Sequence, residues 1–145
     1  MYTAQDFSQA FDDYARFHRE LMQNISPMGG IVGVLGFGKR PGDDPGHQKF
    51  LNEMDDALKN VVAGEPDPDT AGAVMDVIFQ ARYNYDGDQI SPYLFSAVEG
   101  MTLDLIPFLS VEKTREIYET YQRLPRTLRV PVVKKVLAAL KENMN

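Results

Sequence analysis

The chain reads as an all-α protein: a compact bundle or orthogonal array of five to six helices around a buried central helix at about residues 92–109. Three observations predict this. Apolar residues recur at three- and four-residue intervals, Ser, Thr, Asp or Pro heads most of the periodic stretches, and no stretch sustains strand alternation. With 145 residues, 43% of them apolar and 25% charged, there is enough apolar material for one folded domain spanning 1–145.

The first helix is expected over roughly 4–24. Thr3 stands three positions before Asp6 as a capping-box variant, and Phe7, Phe11, Tyr14, His18, Leu21 and Ile25 follow at helical spacing. From Ser26 to Gly42 the pattern weakens. Five glycines between Gly29 and Gly38 disfavour a helix by about 1 kcal/mol each relative to alanine, so this stretch reads either as a short buried helix or as a packed loop.

Asp44-Pro45 opens a second helix with Phe50, Leu51, Met54, Leu58, Val61 and Val62 along one side, and Gly64 is placed to end it as a left-handed cap. Asp67-Pro68-Asp69 opens a third, which carries Val74, Val77, Ile78 and Ala81 to about Tyr85. Ser91-Pro92 starts the fourth. Its residues Tyr93, Leu94, Phe95, Ala97, Val98, Met101, Leu103, Leu105, Ile106, Phe108 and Leu109 point in every direction, which places it at the centre, with Pro107 kinking or ending it. Ser110 caps a fifth helix with Val111, Thr114, Tyr118 and Tyr121 on the apolar side. Leu124-Pro125 stops it, an extended link runs from Arg126 to Val130, and Pro131 opens a last helix bearing Val133, Val136, Leu137, Leu140 and Met144.

Composition narrows the function classes. The absence of cysteine removes disulfides, thiolate metal sites and cysteine nucleophiles, and suits the cytoplasm. The charged N-terminus does not resemble a signal peptide, and no uncharged run approaches the roughly 20 apolar residues of a membrane helix, so no membrane association is expected. A net charge of −6 argues against general nucleic-acid binding. The charge is nevertheless polarised. Residues 43–69 hold eight acids against two lysines, whereas residues 120–145 hold six bases against Glu142.

Several motifs fall short of the chemistry they suggest. Gly33 to Gly38 followed by Lys39 approximates a phosphate-cradling loop, but Arg40-Pro41 stands where a magnesium-binding Ser or Thr and a helix are needed. Asn84 to Ile90 lacks the first ligand and the terminal glutamate of a calcium loop. His18 and His47 have no partner at metal spacing, so neither metal nor cofactor is expected; His18 reads as a core histidine and His47 as solvated.

Glu99 lies within the all-apolar segment and requires a partner, for which His18, Arg82 or an opening to solvent are the candidates. Arg123, Arg126, Arg129, Lys134 and Lys135 gather five bases with no acid among them. They read as a basic face that docks on the protein's own acidic stretch or on a partner's.

The functional expectation is a non-enzymatic protein-interaction module whose partner is another protein or a second copy in a homodimer. A first alternative is a small-molecule or anion site drawing on Glu99, His18, Lys39, Arg40, Tyr83, Tyr85 and Tyr93. A second is a nucleic-acid accessory factor using the basic C-terminal segment.

Overall fold

The computed structural model describes residues 2–25, 45–85 and 92–145, apart from the side chains of 18–25 and 45. These residues form six α-helices and no strand: α1 Ala4–Ile25, α2 Pro45–Ala63, α3 Pro68–Asn84, α4 Pro92–Gly100, α5 Val111–Tyr121 and α6 Pro131–Asn143. The Ser26 to Gly42 stretch, with Lys39 and Arg40, the part of the Asn84 to Ile90 segment from Asp86 onward, and Ser91 lie outside the described residues.

The helix starts follow local chemistry. Thr3 and Asp6 close a reciprocal capping box, the Thr3 amide donating to Asp6 Oδ2 at 2.8 Å and the Asp6 amide to Thr3 Oγ1 at 3.4 Å. Asp67 accepts the Thr70 amide at 2.7 Å, and this bond holds its carboxyl below the ordinary value. Ser110 accepts the Lys113 amide at 3.1 Å.

α2 ends as expected after Ala63, and the non-glycine residue in left-handed backbone among those described is Glu65, with φ 47°. A Cβ makes that conformation costly, and a glycine removes the clash at some cost in unfolded-chain entropy. Glu65→Gly is therefore expected to raise stability by about 0.5–1 kcal/mol, and no change in the urea midpoint would show that the backbone there is unstrained.

The helical periodicity becomes a single apolar core. Phe7, Phe11 and Tyr14 of α1 meet Phe50, Met54, Leu58 and Val61 of α2 and Val74, Met75 and Ile78 of α3. Each such large side chain fully removed from water is worth about 1.5–3 kcal/mol. α1 packs on α2 and α3, α5 packs on α6 and α3, and α4 touches α2, α3 and α6. The short α4 is thus the shared inner rod, with Leu94, Phe95, Ser96, Val98 and Glu99 all buried.

The central helix is shorter than the sequence predicts. It stops at Gly100 rather than near Leu109, and the chain continues as tight turns into a 3-10 turn at Ile106–Phe108. Two local causes act together. The Thr102 hydroxyl donates to the Glu99 carbonyl at 2.6 Å, a side-chain bond that competes with the helical one, and Pro107 has no amide to continue the ladder. Residues 101–109 are apolar because this turn folds back into the core, burying Leu105, Ile106 and Leu109 while Asp104 and Pro107 face water.

Other corrections are smaller. Val111 is exposed, and the buried stripe of α5 is Thr114, Ile117 and Tyr121. The link after Pro125 is a 3-10 turn, Arg126–Leu128, rather than extended chain. His47 is half-buried, edge-on to the Tyr14 ring at 6.5 Å, rather than in open solvent. No helix of the described residues is long and apolar enough to cross a membrane.

Candidate functional site

Two features stand out: a buried ionic cluster, and an adjoining cleft two of whose lining residues, Leu124 and Pro125, stand next to exposed arginines in sequence. The first centres on Glu99, which is 0% exposed. The last turn of α3 brings Arg82 to it as a two-pronged pair, Nε to Oε2 at 2.9 Å and Nη2 to Oε1 at 2.5 Å. Arg82 Nη2 also donates to Ser96 Oγ at 3.2 Å, and the Tyr121 hydroxyl from α5 donates to Glu99 Oε1 at 3.0 Å. The guanidinium carbon lies 5.9 Å from the Phe95 ring centre and 6.0 Å from that of Tyr121.

Burial pushes the Glu99 carboxyl above its ordinary value, against the opposite pull of Arg82 and Tyr121. Burial draws Arg82 down, but the carboxylate beside it more than restores it, and its pKa stays above the ordinary value. Burial, followed by the neighbouring Glu99 charge, raises the Tyr121 hydroxyl. Of the partners expected for Glu99, the structure selects Arg82; the side chain of His18 lies outside the described residues. Tyr121 was not foreseen. The available signal was its place on the buried side of α5, because a buried phenol needs a hydrogen-bond partner.

The cluster joins α3, α4 and α5, and Glu99 has no surface on which to meet a ligand. The tyrosines expected around it do not converge. Tyr83 is 54% and Tyr93 59% exposed, whereas the Tyr85 hydroxyl donates to Asp12 of α1 and its ring joins those of Phe11 and Phe95 in a three-ring cluster. Burial, then the bond to Asp12, raises the Tyr85 hydroxyl well above its usual range.

The second feature lies on the outer side of Arg82. Arg82, Tyr83, Tyr85, Pro92, Phe95, Leu124, Pro125 and Leu128 line a cleft of about 230 Å³. Sequence reasoning identified the arginines near this cleft but not its apolar walls, which come from three separate parts of the chain. Among the five bases, Arg123, Arg126, Lys134 and Lys135 are exposed and make no ion pair with a described residue.

Arg129 differs. Its Nε donates to the Leu124 carbonyl at 3.0 Å and its Nη2 to the Gln122 carbonyl, so it satisfies orphan acceptors just beyond the end of α5. No ion pair among the described residues joins this basic segment to the acidic one. In α2, Lys59 pairs with Asp55 at 2.8 Å and Lys49 with Glu53 at 3.9 Å.

No family model, curated protein or solved structure matches this chain. The reading of function therefore rests on the geometry above.

Proposed function

We propose that this protein is a non-enzymatic interaction module of the cytoplasm that binds an acidic surface of another protein through Arg123, Arg126, Lys134 and Lys135. The observation that carries this reading is the exposure of these four cations, none of them neutralised by a described acid, in a chain of net charge −6. Supporting it, Val130 caps α6 with no side-chain bond, and the first turns of that helix carry Lys134 and Lys135, which adds their charge to the positive end of the helix dipole. Glu99, whose carboxyl burial raises, is sealed among partners and unavailable to a substrate, which supports binding rather than catalysis.

Poly-glutamate serves as the test ligand. At low salt it should bind, weaken as salt rises, and lose roughly tenfold or more in affinity when Arg123→Glu and Arg126→Glu are combined, since each exposed pair is worth up to about 1 kcal/mol and reversal adds repulsion. Unchanged affinity in the double variant, or tighter retention on duplex DNA than on poly-glutamate, overturns the proposal. A dimer on size-exclusion chromatography that dissociates in the same variant redirects it to a second copy of the chain.

A further inference from the structure

We propose that the cleft beside Arg82 is the anchor pocket of this interaction surface, and that it takes one aromatic or branched aliphatic side chain from an acidic peptide segment of the partner. This rests on the acidic-partner reading and specifies its chemistry. At about 230 Å³ the cleft is smaller than the roughly 300–1,000 Å³ of small-molecule pockets, a size suited to a single bulky side chain.

The chemistry of the walls agrees with the size. Pro92, Phe95, Leu124, Pro125 and Leu128 are apolar, and the one cation in the lining among the described residues, Arg82, is already held by Glu99. An isolated charge therefore gains little there, whereas an apolar group gains by leaving water. Tyr83 stands half-exposed at the edge and can close over an entering ring. Immediately beside the walls in sequence, Arg123 precedes Leu124-Pro125 and Arg126 follows it, and both are exposed. Acidic residues flanking the anchor can therefore reach cations next to that wall. An apolar anchor within a charged rim is the usual division of labour at a protein interface, the centre supplying affinity and the rim supplying selection.

The probes are fluorescein-labelled 12-residue peptides read by anisotropy: one with a single central Phe between Glu-rich flanks, one with that Phe replaced by Ala, and one with the Glu residues replaced by Gln. Wild-type protein should bind the Phe peptide at least tenfold more tightly than the Ala peptide. Tyr83→Ala, a change at an exposed position, should weaken the Phe peptide severalfold and leave the Ala peptide unchanged, with the circular dichroism spectrum intact. Arg123→Glu with Arg126→Glu should weaken both acidic peptides, and the Gln peptide should bind weakly to every form. Equal binding of the Phe and Ala peptides, each still lost on charge reversal, overturns the anchor pocket and leaves the acidic-partner reading standing. Failure of poly-glutamate and all three peptides overturns both.

Discussion

Glu99→Ala is expected to remove about 3–5 kcal/mol of folding stability, because it leaves the Arg82 side chain, 6% exposed, without its counter-charge. Domains hold roughly 5–15 kcal/mol in all, so this is a large share. With a urea slope of about 2 kcal/mol per molar, the midpoint falls by about 1.5–2.5 M. The paired replacement Arg82→Met with Glu99→Leu removes both charges and their desolvation together. It should recover most of the loss, as is common when a buried ion pair is replaced whole by apolar side chains.

Arg82→Met alone reads the same cluster through pH. Without its partner the Glu99 carboxyl is left to burial, which raises its folded pKa further above the ordinary 4.5. A carboxyl with a raised folded pKa favours the folded state most at low pH, and that contribution declines as pH rises from the unfolded value through the folded one. The variant should therefore lose stability from pH 4.5 upward more steeply than wild type. A Glu99→Ala penalty below 1 kcal/mol, or a flat pH profile in Arg82→Met, would show that water reaches the pair.

The second large effect is expected at the end of α4. A Cβ built on Gly100 overlaps Cγ2 of Val132 in α6, and valine, branched at Cβ, has little rotameric freedom in a helix to withdraw. Gly100→Ala should cost about 1–3 kcal/mol of overpacking, offset by about 1 kcal/mol from better helix propensity. The net is a loss of up to about 2 kcal/mol, a fall in Tm of up to about 7 °C at this chain length. Adding Val132→Ala removes the overlapping methyl, so the double variant should return to or exceed the wild-type Tm. Should Gly100→Ala by itself raise Tm, the close approach of α4 and α6 is not as described.

The helix starts were legible in the sequence because their causes are local. Thr3 with Asp6, Asp67 with Thr70 and Ser110 with Lys113 each satisfy an amide within one turn. The end of α4 was not, although the Thr102 bond that competes with the helix there is equally local, because the apolar run around it hides the break. An all-round apolar run from Tyr93 to Leu109 is the same signal whether the chain stays helical or turns back into the core.

The site was legible in part for the same reason. That Glu99 must be paired follows from the cost of burying a lone carboxylate, whereas the choice of Arg82 and the added Tyr121 hydroxyl depend on how three helices meet. Arg129 looked like one more surface cation. Only the path of the chain after Leu124 turns it onto the carbonyls left open at the end of α5.

The position of α4 ties the two flanks of the molecule together. It packs against α2 and α3 and also against α6, so detaching either flank bares part of its buried surface to water. Neither group of helices can loosen while the other keeps its full stability. All-or-none melting is then inherited from one small element held in common, and no single bond is needed to enforce it.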